Sequence, residues 1–367
     1  MKNDDRLFFD NYFALYRRIL FETDVRAELL AFRDLCLGAQ TRGNKLIFVG
    51  NGASATISSH AATDYTQHAK IRTVCFNDHS LITAFANDYG YDQWVVRALE
   101  AYADPGDVVV LISSSGSSPN IVNAAQYART HDLHCVTFSG FSELNPLRAL
   151  GETNLWVDSD AYNVIESVHL IWILLVANLL EHEGDDHLFL EQRLAEHFDA
   201  IFTADHHGEL AAFRDLCREV AARSGKLIFA GNGGSASIAS HAATDFTKQS
   251  KVRTVCFNDH NLITAFANDY GQEQWIAQCI KAYADPNDAV VLISGSGRSK
   301  NVINAANLAR EKGLPVVTFT GFDPDNPLRK LGLVNFWIDS RNYNVTEGVH
   351  SIWIFYVADL LVGKPVY

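Results

Sequence analysis

The chain is written twice. Ala31–Cys36 (AFRDLC) returns at Ala212–Cys217, His60–Asp64 (HAATD) at His241–Asp245, and Arg72–His79 (RTVCFNDH) at Arg253–His260. Every offset is 181 residues, and Lys45–Trp94 matches Lys226–Trp275 at 38 of 50 positions without a gap. That period is the size of a domain, far above the roughly 20–50 residues of solenoid repeats. The chain must therefore fold as one domain made twice. The polar stretch Glu181–Asp186 (EHEGDD) marks the break, so domains are expected at 1–181 and 182–367. The linker is short, which predicts a pseudo-twofold pair resembling a homodimer fused into one chain.

Charge narrows the function classes. Thirty Lys+Arg against 43 Asp+Glu give a net charge of −13, which disfavours a general nucleic-acid or anionic-membrane binder. No segment is expected to cross a bilayer. The most apolar stretch, Leu170–Leu180, is interrupted by Asn178 and followed by Glu181 and His182, and reads as a buried helix. Met1–Arg6 lacks the regions of a signal peptide. The six cysteines form no CxxC pair, so reduced core cysteines and a cytoplasmic location are expected.

Within one repeat, short apolar runs alternate with helical segments. Lys45–Val49, Thr73–Phe76, Asp107–Ile112, His134–Phe138 and Asn154–Val157 read as strands, and Tyr162–Leu180 as a long helix. Strands apolar throughout, separated by helices, imply an α/β fold with a parallel sheet covered on both faces. The first forty residues have helical periodicity and are expected to form a hairpin, or an arm onto the neighbouring repeat.

Two small-residue loops follow strands and open helices. The first is Gly50-Asn51-Gly52-Ala53-Ser54, matched by Gly231-Asn232-Gly233-Gly234-Ser235; the second is Ser113–Ser118, matched by Ser294–Ser299. Small residues let backbone N–H groups approach an anion, helix N-termini supply partial positive charge, and hydroxyls add donors. Ordinary turns with serine N-caps are the alternative. Two such loops per repeat favour phosphate binding, although neither is a GxxxxGK[ST] nor a GxGxxG loop.

With GNGxS after the first strand, SxSGxS after a later one and NDYG between them, the sequence resembles the sugar isomerase (SIS) domain, in its phosphoheptose isomerase branch. The resemblance covers nearly all of each repeat. It implies two tandem three-layer α/β/α sandwiches, each around a five-stranded parallel sheet, and a phosphorylated sugar as ligand. It implies phosphate binding by Ser54, Ser113, Ser115 and Ser118, and by Ser235, Ser294, Ser296 and Ser299, with Gly52 and Gly233 in the loops. Asn87-Asp88 and Asn268-Asp269 of NDYG are candidates for sugar hydroxyls, or for helix termination before Gly90 and Gly271. The family's helical glutamate base falls on Asp64 and Asp245. Its metal, often zinc, is held in some members by HxxxE plus a Gln and a His of the last helix.

Here HxxxE becomes His60-x-x-x-Asp64 and His241-x-x-x-Asp245, still on one helix face. The family glutamine falls on Glu166 and Glu347, and the family histidine on Leu174 and Phe355. A different histidine, His169 or His350, stands three residues after each glutamate. His60, Asp64, Glu166 and His169, with His241, Asp245, Glu347 and His350, are therefore candidate ligands for zinc or another divalent cation. Asp64, Asp245, Glu166, Glu347, His169 and His350 are also the candidate acid–base groups. His169 and His350 equally suit hydrogen-bonded core positions.

Asn77-Asp78-His79 and Asn258-Asp259-His260 follow the second strand and could line the same cleft or cap the next helix, the cap being the favoured reading. Arg298 replaces Ser117, so the two sites need not be equal. The expectation is a phosphosugar aldose–ketose isomerase working through an enediol. The rival is a sugar-phosphate sensor or adaptor. Assembly of two chains into a four-domain homodimer is also expected.

Overall fold

The structure is a computed structural model describing residues 3–363. The first repeat runs α1 (Asn3–Arg17, extended by a π turn at Arg18–Glu22), α2 (Arg26–Arg42), β1 (Leu46–Gly50), α3 (Ala53–Gln67), β2 (Thr73–Cys75), α4 (His79–Tyr89), α5 (Trp94–Tyr102), β3 (Val108–Ser113), α6 (Pro119–Thr130), β4 (His134–Ser139), β5 (Thr153–Trp156) and α7 (Tyr162–Glu181). The second repeats it: α8 (Asp186–Phe202), α9 (His207–Ala222), β6 (Leu227–Ala230), α10 (Gly234–Lys248), β7 (Thr254–Cys256), α11 (His260–Tyr270), α12 (Trp275–Tyr283), β8 (Ala289–Ser294), α13 (Lys300–Glu311), β9 (Val316–Thr320), β10 (Val334–Trp337) and α14 (Tyr343–Val362).

Two compact units result. Among the described residues, one is 13–195 and the other joins residues 3–12 to residues 196–363. This division differs from the expected 1–181 and 182–367, and helix docking explains it. In the second-repeat unit, Tyr12 donates to Asp359 Oδ2 (3.1 Å) and packs edge-on against Tyr356 of α14. Asp5 pairs with Arg214 of α9 at 2.6 Å. The first turns of α1 thus act as the expected arm, and α1 and α8 run through the boundary.

Each unit holds a five-stranded parallel sheet, ordered β2-β1-β3-β4-β5 in one and β7-β6-β8-β9-β10 in the other. β1, β3, β6 and β8 are buried along their whole lengths, as the unbroken apolar runs required. Side chains alternate between two helical layers. Ile47, Val49, Val109 and Leu111 pack under α5 and α6. Phe48 points the other way, into an aromatic cluster with Phe32 of α2, Tyr65 of α3 and Phe138. Trp172 and Trp353 are core residues and all six cysteines are free, as expected.

One expectation needs correction. α7 and α14, 20 residues each, are long and apolar enough to cross a membrane by length and composition. Asn178 does not shorten α7, because it lies in the last turns of an unbroken helix. Their most apolar windows are 89% and 83% buried within the protein, which is what core helices of an α/β sandwich require.

At the amino end of the sheet, Lys45 Nζ lies 2.5 Å from Asp107 Oδ2 and 2.6 Å from Asp104 Oδ2. Asp107 is fully buried and also accepts from the Lys45 and Asp104 backbone N–H groups. Burial pushes its carboxyl pKa up, but the hydrogen bonds from Lys45, Asp104 and Asn44 outweigh it and leave the pKa below its ordinary value. Lys226, Asp285 and Asp288 repeat the arrangement. Lys45→Met, which strands the Asp107 charge, is expected to cost the first-repeat unit about 3 kcal/mol, measured by amide exchange of β1 and β3.

Candidate active site

The strand order places β1 beside β3, with β2 on the far side of β1. Connections from such neighbours lead to opposite layers, so a crevice opens beyond their carboxyl ends. Both small-residue loops lie there. After β1, Gly52 caps α3 with φ 55° and ψ −120°, and after β6 Gly233 caps α10 with φ 54° and ψ −125°. Side chains other than glycine rarely enter that region. No side-chain capping hydrogen bond is made at these helix N-termini.

In the second loop, Ser118 is the N-cap residue of α6 but its side chain makes no capping bond. Ser113 Oγ instead donates to Ser118 Oγ (3.1 Å), and Ser117 Oγ to Ser115 Oγ (3.0 Å). Ser294 and Ser299 pair the same way at 3.2 Å. The serines therefore face one another across the loop and do not serve as caps. This arrangement, with a helix N-terminus behind it, can receive an oxyanion. The Asn51 and Asn120 amides exchange two hydrogen bonds (2.9 and 3.0 Å), clamping the two loops together. Asn232 and Asn301 do the same at 3.0 and 2.8 Å.

Two of the expected carboxylates join these loops. Glu166, near the start of α7, accepts from Ser114 Oγ at 2.9 Å. Its counterpart Glu347 accepts from Ser235 Oγ at 3.2 Å. The difference follows from sequence: the position matching Ser114 is Gly295. Ser54 and Ser235 are themselves buried beneath the first loop. On α3, His60 Nε2 and Asp64 Oδ2 stand 3.6 Å apart, and His241 and Asp245 on α10 stand 3.4 Å apart. The i,i+4 spacing has done what it predicts. Phe355, at the family histidine position, lays its ring 3.8 Å from the His241 ring.

Other expected residues do not come to the loops. His169 and His350 point into the core. Their Nε2 atoms bond the Ser139 and Thr320 carbonyls (3.1 Å each), and their rings pack against Phe138 and Phe319. Both are fully buried, and burial pushes their pKa down to about 4. They fill the core-histidine role. The four-donor metal set expected for a single repeat is accordingly not assembled. The His–Asp pair is present, Glu166 is engaged by Ser114, and the second histidine faces the strand. Asn87 and Asp88 are exposed at the end of α4 and bond each other (3.0 Å), as do Asn268 and Asp269. Asp78 and Asp259 are N-caps of α4 and α11, as read from sequence.

Three contributors were not singled out from sequence. Tyr91, just after NDYG, donates to Asn51 Oδ1 at 3.0 Å, so NDYG reaches the site through its following tyrosine; Gln272 stands there in the second repeat. The Asn51–Asn120 clamp and Asn145 below the serine loop are the others. Both asparagine positions recur at an offset of 181 (Asn301 and Asn326), which is the signal that marks them.

The chain belongs to the SIS-domain family, whose model matches residues 8–140 and 192–321. It is 34% identical over 162 residues to a protein of Thermoplasma acidophilum named "Probable phosphoheptose isomerase", covering 42% of this chain and 88% of that protein. It is 30% identical over 192 residues to the phosphoheptose isomerase of Burkholderia pseudomallei, covering 50% and 97%. Across its whole length the fold is similar to tagatose-6-phosphate ketose/aldose isomerase from Escherichia coli (TM-score 0.63, 15% identity, 99% of this chain and 92% of that one).

The buried histidines give the fold a pH dependence. Their folded pKa of about 4 lies below the ordinary histidine value of 6.5, so the unfolded chain binds protons more readily. Stability is full above pH 6.5 and falls toward pH 4, by about 1.4 kcal/mol per pH unit for each histidine. In denaturant titrations from pH 7 to 4.5, His169→Gln/His350→Gln is expected to flatten that slope.

Proposed function

We propose that the protein is a phosphosugar aldose–ketose isomerase of the phosphoheptose isomerase type, acting on sedoheptulose 7-phosphate or a similar ketose phosphate. The observation that carries this reading is the Ser114–Glu166 bond. It sets an ionisable carboxylate against the loop that offers serine hydroxyls and a helix N-terminus to a phosphate. The named phosphoheptose isomerases, aligned over most of their own lengths, support the substrate class.

The chemistry is a proton shift. A base takes a proton from C1 of the ketose, the C–H electron pair becomes the C1=C2 bond, and the ketone oxygen gains a proton. Return of a proton to C2 and loss of one from O1 gives the aldose. Asp64 and Asp245, each beside a histidine one turn back, are assigned the carbon-bound proton; Glu166 and Glu347, each held by a serine hydroxyl, are assigned the oxygen-bound one. The serine loops hold the phosphate, so that its binding energy positions C1 and C2. His169 and His350, held in the core on the Ser139 and Thr320 carbonyls, lie outside this scheme.

A second reading, sugar-phosphate binding without turnover, is favoured in the second repeat by the Phe355 ring against His241. One experiment separates the two. With sedoheptulose 7-phosphate in D₂O, NMR is expected to show deuterium entering C1 and C2. Asp64→Asn/Asp245→Asn is expected to slow this by about a hundredfold or more. Saturable binding without exchange, for every ketose phosphate tried, would leave the binding protein.

A further inference from the structure

The turn after β4 carries Asn145-Pro146-Leu147-Arg148, and the turn after β9 carries Asn326-Pro327-Leu328-Arg329. Both turns lie outside the glycine and serine loops and the helices that carry the carboxylates. Asn145 is 5% exposed and Asn326 is fully buried. The Asn145 amide uses both its ends. Nδ2 donates to Ser139 Oγ (3.1 Å), the Gly140 carbonyl (3.2 Å) and the Ser142 carbonyl (2.8 Å), while Oδ1 accepts from the Arg148 N–H (2.9 Å). Asn326 Nδ2 donates to the Gly321 and Asp323 carbonyls (3.4 and 2.9 Å), and Oδ1 accepts from the Arg329 N–H (3.0 Å).

This turn supports the serine loop directly. The Leu147 N–H donates to the Gly116 carbonyl (3.0 Å), and the Leu328 N–H to the Gly297 carbonyl (3.2 Å). Gly116 and Gly297 are the loop apices and sit in the left-handed region, with φ 63° and 62°. A Cβ at either would lie 2.0 Å from the asparagine Oδ1. The apex therefore rests on the carboxamide with no space between them. In the second repeat the support extends further. Asn326 holds the Asp323 carbonyl, and the Asp323 carboxylate holds the Arg298 guanidinium at 2.6 Å.

We propose that Asn145 and Asn326 are positioning residues that fix the serine loops in their anion-receiving conformation. In the second repeat Asn326 also sets, through Asp323, where the Arg298 charge stands. The proposal rests on the reading of these loops as the phosphate cradle. Asparagine suits the position because it combines donors and an acceptor in a short side chain. Aspartate keeps the shape and the acceptor but loses the donors; alanine loses both and leaves the Gly116 or Gly297 apex unsupported.

The test uses the full chain, with inorganic phosphate as the binding probe by calorimetry and a ketose phosphate as substrate. Asn145→Ala/Asn326→Ala and Asn145→Asp/Asn326→Asp are compared with the parent, each checked for a cooperative thermal transition. Both variants are expected to bind phosphate roughly tenfold to a hundredfold more weakly. KM is expected to rise in proportion, while kcat at saturation stays within about threefold. Gly116→Ala/Gly297→Ala is expected to weaken phosphate binding in both backgrounds, because the positive φ and the Cβ contact remain, but less in the Asn→Ala background, where the closest clashing atoms, Oδ1 and Cγ, are gone. A folded Asn→Asp or Asn→Ala variant that binds phosphate within twofold of the parent overturns the proposal, as does a fall in kcat with KM unchanged. A parent that does not bind phosphate overturns it together with the reading of the loops. A parent that binds phosphate but turns over no sugar sinks the isomerase reading alone, and the phosphate titration still decides the role of the asparagines.

Discussion

Everything at the candidate site depends on where the strand order of the parallel sheet reverses. β1 and β3 are neighbours, but α3 joins the Phe32–Tyr65 layer and α6 joins the layer of Trp94 and Val95. Their connections must part above the sheet edge. Two helix N-termini are left there, and neither is closed by a side-chain cap. Partial positive charge at such ends is stabilised by an anion. The Asn51–Asn120 amide pair then holds the two loops in register. The Lys45–Asp107 pair ties β1 to β3 at the opposite end of the sheet. The site is thus built on the most buried strands of each unit, with rigid support below and donors above.

The two repeats preserve this frame and differ in what decorates it. In the first, the serine loop bonds Glu166 through Ser114, and Tyr91 reaches Asn51. In the second, Gly295 removes that hydroxyl and Glu347 turns to Ser235. Arg298 adds a charge to the loop and Asp323 fixes it. Phe355 covers His241. The strands that carry the loops, β1 and β3 against β6 and β8, match almost residue for residue. A duplicated frame with diverging decoration lets two related sites differ in affinity without any change of fold.

Most of the frame could be read from sequence, since a repeat offset of 181 and fully apolar strands leave few alternatives to paired α/β sandwiches. The site was legible where spacing determines geometry. His60 and Asp64 had to share a helix face, and Asp78, favoured as a cap, does cap α4. It was not legible on α7, because that helix is buried on nearly every side. Three residues after Glu166, His169 could face the loops or the sheet, and its apolar neighbours on both sides could not distinguish these. Packing decided, placing it against Phe138. Asn145 was missed for a similar reason: a turn asparagine ordinarily bonds its own backbone, and only the fold shows that Gly116 stands on it. The domain boundary moved because Tyr12 and Asp5 find partners on α14 and α9, a tertiary choice that helical periodicity cannot express.

The central claim is that the serine loops receive the phosphate of a sugar phosphate. The most direct measurement is an amide chemical-shift titration of the full chain with sedoheptulose 7-phosphate. We expect the saturating shifts to centre on residues 113–120 and 294–301 and on the starts of α3 and α10, with inorganic phosphate reproducing the same pattern. Shifts that saturate elsewhere while these amides stay unmoved would contradict the account.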